Sequence, residues 1–339
     1  MPHVTVGVLA LQGAFREHIV LLEKAAEGVL SEWASQSDAA EKGENGGADG
    51  AGEQGRATDA RATAVIAAAT AQINGGIAGN GECAIRTASK PATGDHADAT
   101  TATTTTAAST SPRSSDPLTF YFPEIRNPDQ LSTCSALILP GGESTSISLI
   151  ASRTGLLQPL REFVKVQRKP VWGTCAGLIL LAEEADKTKA TGQELVGGLD
   201  VRVVRNWFGR QVESFEADLD LTFLEGTFHS VFIRAPVVER VLEGGRVEGS
   251  GEQEGVISAP ALKETKAKVE ILGRLPGRAK ALRDQSVTAE ELGEEGDIVA
   301  VRQGNVFGTA FHPELTGDAR IHAWWLREVV RAVEAERMT

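Results

Sequence analysis

The segment from Val164 to Ala185 constrains the fold most, because a strand-like stretch changes into a helical pattern across the short motif GTCAG. The stretch from Val164 to Trp172 has the length of a strand, and LILLAEEA, which ends at Ala185, has helical periodicity. The same order of strand, glycine-rich turn and helix begins at Val4 to Leu11 and at Ala136 to Leu139. Strands that alternate with helices form parallel sheets through right-handed crossovers, with helices on both faces. The sequence therefore predicts an α/β fold with three layers and a mostly parallel central sheet.

The second half of the chain is expected to add further strands to the same domain, which we predict to span residues 1–339. These strands are LDVRVVRN, FEADLDLTF, SVFIRAP, KVEILGRL, DIVAVRQG and NVFGTAF, all after Gly198. Helical periodicity returns between Asp318 and Ala335, which predicts a closing helix. Two acidic or glycine-rich patches, 246–266 and 276–296, are predicted to be surface loop expansions.

A long low-complexity segment separates the first helix from the next strand. Between Ala34 and Thr119 there is no Phe, Trp or Tyr, and Ala, Gly, Thr, Ser and Asp dominate. Such a segment cannot bury enough apolar surface to offset the roughly 1–2 kcal/mol per residue of backbone entropy that ordering costs. We therefore predict that residues 34–117 form a disordered insertion within the domain.

The charge of the chain excludes two classes of partner. A formal net charge of -12 lacks the basic footprint that binding to nucleic acid or to an anionic membrane requires. No apolar run approaches the roughly 20 residues that span a bilayer, and the chain begins with a strand-like VTVGVLAL rather than a basic and apolar leader. We predict a cytoplasmic protein that binds neither nucleic acid nor membrane.

The cysteines point to nucleophilic chemistry rather than to a disulfide framework or a zinc site. Cys83, Cys134 and Cys175 are few and scattered, and none belongs to a CxxC pair. Cys175 lies between Gly173 and Gly177, where a strand turns into a helix. A nucleophile on such a turn is exposed, and the helix N-terminus favours the reactive thiolate. For Cys134 a small buried thiol is the simpler interpretation, and for Cys83 an inert exposed one.

One histidine has the setting of a general base. His312 follows the strand NVFGTAF, and Pro313 joins it to Glu314. Proline favours extended geometry in the residue before it, so side chains two positions apart can lie on one side, where a carboxylate can orient an imidazole. The other five histidines lack an acid in such a context and are interpreted as structural. His3 is terminal, His96 lies in the predicted insertion, and His18, His229 and His322 are expected at the surface or partly buried.

The motif LILPGGESTSI, from Leu137 to Ile147, places glycines at the end of a strand. Backbone N–H groups exposed in this way can stabilise an oxyanion. Gly142 is the candidate donor, and its partner would be the N–H of Ala176, the residue after the candidate nucleophile. A PGG sequence alone is more simply an ordinary turn.

Taken together, GTCAG, the HPE triplet and the PGGES turn resemble the class I, triad-type glutamine amidotransferases. Within that class, six segments look like the glutaminase subunits of pyridoxal 5'-phosphate synthase. They are VGVLALQGAFREHI (Val6 to Ile19), LILPGGESTSI, PVWGTCAGLILLA (Pro170 to Ala182), RNWFGRQVESFEADL (Arg205 to Leu219), FIRAP (Phe232 to Pro236) and GTAFHPELT (Gly308 to Thr316). The resemblance covers roughly Val4 to Leu30 and Leu118 to Ala332.

The resemblance implies that Cys175 is the nucleophile, His312 the base and acid, and Glu314 the orienting carboxylate. It places the substrate, L-glutamine, against Gly142, Glu143, Ser144, Arg205, Ile233 and Arg234. The implied reaction is hydrolysis of glutamine to glutamate and ammonia, without a metal or organic cofactor. The implied partner is a (β/α)8-barrel synthase in a large hetero-oligomer, which uses the ammonia to make pyridoxal 5'-phosphate.

Three alternatives stay open at this point. The triad reports the release of ammonia and not its acceptor, so the chain could serve another pathway, although RNWFGRQVESFEADL speaks against this. A silent regulatory subunit would be expected to lack a triad residue, and all three are present. A cysteine hydrolase or redox sensor would not need the HPE and PGGES motifs together.

The sequence departs from the family pattern at two places. Trp207 stands where many family members carry a small or polar residue, and compact bacterial members lack the insertion.

Overall fold

The computed structural model describes residues 3–44, 118–187, 193–205, 207, 214–242, 255–262, 265–276 and 296–338. Most of the predicted insertion, from 45 to 117, therefore lies outside the described residues, as does 277–295 of the second predicted loop expansion. None of the helices within these ranges is long and apolar enough to cross a membrane.

Fourteen strands and six α-helices are found within the described ranges. The strands are β1 (His3–Leu9), β2 (Thr119–Tyr121), β3 (Glu124–Ile125), β4 (Ala136–Leu139), β5 (Val171–Thr174), β6 (Ala182–Asp186), β7 (Leu199–Val204), β8 (Ser214–Asp220), β9 (Thr227–Ile233), β10 (Val237–Val241), β11 (Val256–Ser258), β12 (Glu270–Leu275), β13 (Asp297–Gln303) and β14 (Val306–Thr309). The helices are α1 (Phe15–Glu44), α2 (Pro128–Ser132), α3 (Ser144–Arg153), α4 (Leu157–Arg161), α5 (Ala176–Leu181) and α6 (Arg320–Met338). A π-helical turn, Glu162–Val166, continues α4, and a 3-10 turn covers Pro313–Leu315.

In the described part of the chain, twelve strands form one sheet in the order β11-β6-β7-β10-β13-β14-β5-β4-β1-β2, with β12 paired to β13 and β3 paired to β1. Six of its eleven pairings are parallel: β1 with β2, β3 and β4, β4 with β5, β5 with β14, and β6 with β7. The other five are antiparallel and lie among β6, β7 and β10 to β14. Strands β8 and β9 form a separate antiparallel pair. The prediction of an α/β fold with a mostly parallel sheet is confirmed.

Helices cover both faces of the sheet, as consecutive residues of β5 show. The Trp172 ring lies edge-on to His18 of α1 and contacts Trp325 of α6, with ring centroids 5.6 Å and 5.7 Å away. The next residue, Gly173, lies against α5, where an added Cβ would come within 2.5 Å of the Gly177 carbonyl carbon. Because successive strand residues point to opposite faces, α1 and α6 cover one face and α5 covers the other. This arrangement gives the three predicted layers.

Four predicted boundaries were wrong. The strand predicted between Val164 and Trp172 begins only at Val171, because Glu162–Val166 continues α4 as a π-helical turn. The helix after GTCAG ends at Leu181, and Ala182–Asp186 is strand β6, whose backbone pairs with β7 and β11. These pairings satisfy backbone groups that a longer helix would have satisfied internally, so tertiary context overrides the helical pattern. Residues 246–266 are not all surface loop, because Val256–Ser258 forms edge strand β11. Helix α1 continues to Glu44, so the start of the predicted insertion at residue 34 is helical.

Candidate active site

The candidate site lies at the carboxyl ends of three adjacent parallel strands, β4, β5 and β14. Ile138 of β4 pairs with Trp172 of β5, and Thr174 of β5 pairs with Thr309 of β14. The residues that follow these strands therefore emerge at one edge of the sheet. They include the PGGES turn, Cys175 and His312. Ligands of open α/β sheets bind at such an edge.

Cys175 occupies a strained turn between β5 and α5. Its backbone dihedrals are φ 48° and ψ -98°, which a residue with a side chain rarely adopts. Its N–H donates to the Thr309 carbonyl at 2.8 Å, and its own carbonyl accepts from Ile179 N–H at 3.2 Å. Gly177 lies so close to β4 that an added Cβ would come within 2.0 Å of the Leu139 carbonyl oxygen. The glycine permits close packing of α5, while the strain falls on the cysteine itself.

His312 and Glu314 form a buried pair beside this cysteine. His312 Nδ1 lies 2.7 Å from Glu314 Oε1, and the two side chains are 10% and 0% exposed. The 3-10 turn that starts at Pro313 brings the carboxylate back to the ring. Because Nδ1 faces the carboxylate, Nε2 is the ring nitrogen available to the sulfur. The predicted proximity of these two side chains is confirmed.

The surroundings of the pair favour a protonated His312 imidazole and an ionised Glu314 carboxylate. Burial alone would lower the pKa of His312, but its hydrogen bond to Cys175, its hydrogen bond to Glu314 and their negative charges raise that pKa to about 10. Burial opposes the charge of Glu314, yet the neighbouring histidines hold the pKa of its carboxyl below the ordinary value. At neutral pH the imidazole is therefore protonated between a carboxylate and the cysteine.

The PGGES turn packs against His312 and is hydrogen-bonded to the loop that precedes α1. An added Cβ on Gly141 would lie 2.3 Å from His312 Cε1, so the imidazole packs directly on the backbone there. Gln12 Oε1 accepts the Glu143 N–H at 2.8 Å, and Gly13, with φ 99°, lies against the Gly141 carbonyl. Sequence reasoning did not assign a role to Gly141, Gln12 or Gly13, although QG is part of the first matching segment.

Gly141→Ala is expected to lower kcat at least about 10²-fold, because a displacement of about 1 Å in a catalytic group can cost that much. Steady-state glutamine hydrolysis measures the effect. Gly28→Ala is the matched control, since Gly28 lies in α1 with nothing within 4 Å of an added Cβ. A Gly141→Ala enzyme with wild-type kcat would show that the imidazole can move away without loss.

The residues predicted to hold the substrate lie around the same edge. Glu143 caps α3, with its carboxylate accepting the N–H groups of Thr145 and Ser146 at 3.1 Å and 2.7 Å. Arg205 follows β7, is 9% exposed, and its Nε lies 3.7 Å from Asp186 Oδ1. Burial lowers the pKa of Arg205, and the charges of Asp186 and Glu143 act to raise it.

The other predicted binding residues surround the sulfur or precede α3. The Ile233 carbonyl oxygen lies 3.9 Å from Cys175 Sγ. Arg234 follows it at φ 42° and is exposed. Gly142 is exposed, Ser144 is buried at the start of α3, and Ala176 is buried at the start of α5. The structure thus brings all the predicted site residues to one edge, while their roles remain predictions.

Two of the five remaining histidines differ from their predicted setting. His18 and His322 were expected at the surface or partly buried, but both side chains are fully buried and contact each other behind Glu314. His229 is exposed on β9 between Glu216 and Asp218, and His3 contacts Thr119, as expected for surface residues. His96 lies outside the described residues. The buried pair carried no local sequence signal, because its partners are distant in the chain.

Cys134 has the setting predicted for a small core thiol. It is 5% exposed, and burial raises the pKa of its thiol to about 11. It therefore stays protonated and unreactive at neutral pH. Cys83 lies outside the described residues.

A cavity of about 250 Å³ is found at the opposite end of the sheet. Its lining includes Pro170, which precedes β5, Asn305, which precedes β14, and Trp324 of α6. Since β5 and β14 run from this end towards Cys175, the cavity is separated from the candidate site by the length of the strands.

Several known proteins are similar to this chain. A model of the SNO glutamine amidotransferase family matches residues 93–269 and 262–331. A protein of Arabidopsis thaliana named "Probable pyridoxal 5'-phosphate synthase subunit PDX2" is 46% identical over 215 residues, which are 60% of this chain and 74% of the relative. A "Pyridoxal 5'-phosphate synthase subunit PdxT" of Acidothermus cellulolyticus is 43% identical over 60% of this chain and 80% of its own length. A solved structure described as a glutamine amidotransferase is 38% identical, with a TM-score of 0.44, over 61% of this chain and 85% of that chain.

Proposed function

Because the chain belongs to the SNO glutamine amidotransferase family, we propose that it is the glutaminase subunit of a pyridoxal 5'-phosphate synthase. It hydrolyses L-glutamine to L-glutamate and ammonia with Cys175, His312 and Glu314, and it passes the ammonia to a synthase subunit. The observation that carries the proposal is the 2.7 Å contact between buried His312 and Glu314, beside a cysteine held at φ 48°. A strained nucleophile, a histidine and an orienting acid are the parts that amide hydrolysis needs.

In the first half of the reaction the Cys175 thiolate attacks the side-chain carbonyl carbon of glutamine. The carbonyl π electrons move to oxygen, and the resulting oxyanion is held by the N–H groups of Gly142 and Ala176. Protonated His312 then gives its Nε2 proton to the amide nitrogen, the C–N bond breaks, and ammonia leaves. The raised pKa of His312 supplies this proton at neutral pH. The product on the enzyme is a thioester between Cys175 and the glutamyl group.

In the second half, neutral His312 removes a proton from water as the water oxygen attacks the thioester carbon. The C–S bond breaks, glutamate leaves, and the thiolate and the protonated imidazole are restored. Glu314 holds the ring through Nδ1 in both halves and stabilises its positive charge. Each turnover consumes one water and one glutamine, and it needs no group from outside the chain.

Substrate binding needs a cation for the α-carboxylate and an anion for the α-ammonium of glutamine. Arg205 is buried at this edge and can present the planar fork that suits a carboxylate. Glu143 and Ser144 follow Gly142 in the PGGES turn. Together with Ile233 and Arg234 they are the other residues proposed to bind glutamine.

Arg205→Ala is expected to raise the KM for glutamine about 10-fold to 100-fold, because hydrogen bonds to charged groups contribute about 1.5–3 kcal/mol. The kcat should change little, since the lost contact forms in the ground state as well as in the transition state. Initial-rate kinetics over a wide range of glutamine concentration separate the two constants. Arg240→Ala is the control, because that arginine also pairs with a carboxylate, Glu184, but is exposed. An unchanged KM in the Arg205 variant would remove Arg205 from the substrate site.

The proposed partner is a (β/α)8-barrel synthase that combines the ammonia with sugar phosphates in a large hetero-oligomer. The proposed location is the cytoplasm. The names of the two relatives support the partner, since both are named as subunits of pyridoxal 5'-phosphate synthase. A glutaminase of another pathway would have the same triad but would not transfer its ammonia to such a synthase.

The test supplies a purified synthase barrel with either glutamine or ammonium and follows pyridoxal 5'-phosphate and glutamate. We expect glutamine to support synthesis only when this chain is added, and ammonium to support it without the chain. Glutamate release without transfer to the synthase would assign the chain to another pathway. No glutamate release under either condition would contradict the glutaminase itself.

A further inference from the structure

A pair of buried imidazoles lies behind the proposed triad and is not used by the mechanism above. His18 of α1 and His322 of α6 are both 0% exposed, and His18 Nδ1 lies 3.0 Å from His322 Nε2. His18 Nε2 lies 3.3 Å from Glu314 Oε2 and 3.3 Å from Thr174 Oγ1. Glu314 Oε2 has no aligned hydrogen-bond partner within the described residues. One imidazole thus faces both the triad carboxylate and the residue before the nucleophile.

These contacts fix which nitrogen of His18 carries the proton. A bare lone pair at Nε2 would face the negative oxygen of a buried carboxylate, which is repulsive in an interior of low dielectric. Nε2 therefore carries the hydrogen and is aimed between Glu314 Oε2 and Thr174 Oγ1. In a neutral ring Nδ1 is then the acceptor, and it takes the N–H of His322 Nε2. His322 Nδ1 is left as a lone pair, consistent with its lack of a partner within the described residues.

The surroundings keep the pair neutral. Burial lowers the pKa of His18, against the charge of Glu314, and burial lowers the pKa of His322 well below the ordinary value. Because His18 is neutral, it acts on the Glu314 carboxylate through the dipole of its N–H group and not through a full positive charge. The Trp172 ring packs on both imidazoles, with centroids 5.6 Å from His18 and 4.9 Å from His322. Both rings are therefore fixed in place by an apolar wall.

We propose that His18 is a positioning residue for the triad, which holds the second oxygen of Glu314 so that the first stays aligned with His312 Nδ1. This inference rests on the proposed glutaminase function. Carboxylate–histidine pairs work only in a narrow range of geometry, and Glu314 has His312 on one oxygen and His18 on the other. Because His18 lies on α1, the first helix is linked directly to the catalytic carboxylate.

His18→Leu should lower kcat about 10-fold to 100-fold, as expected when an outer partner of a functional group is removed. KM for glutamine should stay within about twofold, because the lost contact acts on the chemical step. His18→Gln should keep most of the activity, since its amide nitrogen can take the place of Nε2. His18→Asn should not, since its shorter amide reaches only the Nδ1 position that faces His322. If the His18→Leu variant does not fold, the comparison of His18→Gln with His18→Asn still tests the proposal.

A double-mutant cycle separates positioning from a structural role. If His18 acts through Glu314, His18→Leu should cost less than about threefold in kcat when Glu314 is already Gln, because contacting residues are not additive. Gln303→Leu is the control for loss of a buried polar residue, since Gln303 hydrogen-bonds Asp200 at the far end of β13. It should lower thermal stability and leave kcat unchanged.

The outcomes distinguish this inference from the proposed function. Wild-type enzyme without glutaminase activity would remove the function on which the inference rests. Active wild type with equal kcat for the Gln and Asn variants, or with fully additive effects in the cycle, would overturn the inference and leave the function in place. The positioning role of His18 would be established if His18→Leu and His18→Asn lower kcat in the wild-type background and have little further effect when Glu314 is already Gln.

Discussion

Replacing Cys175 with alanine is expected to lower kcat for glutamine hydrolysis at least about 10³-fold, equivalent to about 4 kcal/mol of transition-state stabilisation. The loss is chemical, because no other thiol among the described residues lies at the site: Cys134 is in the core and its pKa is raised by burial. Cys175→Ser should be nearly as inactive, since a hydroxyl is far less ionised than a thiol at neutral pH.

The fold should survive both changes, because the side chain loses at most one atom beyond Cβ and the backbone contacts of the turn involve main-chain atoms. Circular dichroism, thermal unfolding and synthase binding are the measurements that separate a chemical defect from misfolding. Turnover above about one-hundredth of wild type in a folded alanine variant would contradict the assignment of the nucleophile.

The second large effect is expected at His312. His312→Asn should lower kcat about 10³-fold, because asparagine can donate a hydrogen bond but cannot accept and return a proton. Glu314→Gln should be milder, about 10-fold to 100-fold, since the imidazole is still present but its charge and orientation are less well supported. Both variants are measured by initial rates with saturating glutamine.

The relative size of the two effects tests the roles of base and orienting acid. His229→Asn is the control, because the His229 side chain is exposed on β9 and pairs with Asp218 of β8, not with a residue of the proposed triad. If His312→Asn retained wild-type kcat, another group would have to act as base. If Glu314→Gln were the more damaging of the two, the carboxylate would have a role beyond orientation.

The parallel part of the fold and the proximity of the candidate triad residues could be predicted because their signals are local. Ala136–Leu139 is a continuous apolar run, and the apolar residues Val171 and Trp172 start β5; both strands lead into glycine-rich turns, a pattern that predicts buried parallel strands. Cys175 stands in a glycine frame, and His312 and Glu314 are two residues apart, so their chemistry is visible within a few residues of sequence.

Other features depend on contacts between distant segments and could not be predicted. Ala182–Asp186 looks helical because AEEA favours helices, but pairing with β7 and β11 makes it a strand. His18 looks like a polar residue on a helix, and its burial depends on β5 and α6, which lie more than 150 residues away. The fit of Gly141 against His312 likewise joins two segments that the sequence separates.

A glutamine analogue with a diazo-ketone tests most directly whether Cys175 is the thiolate that attacks glutamine. The enzyme is incubated with the analogue, digested, and mapped by mass spectrometry while the remaining activity is followed. One adduct per chain is expected, on Cys175, formed at the same rate as activity is lost, with Cys83 and Cys134 unmodified. An adduct mainly on Cys134 or Cys83, or complete inactivation with Cys175 unmodified, would contradict it.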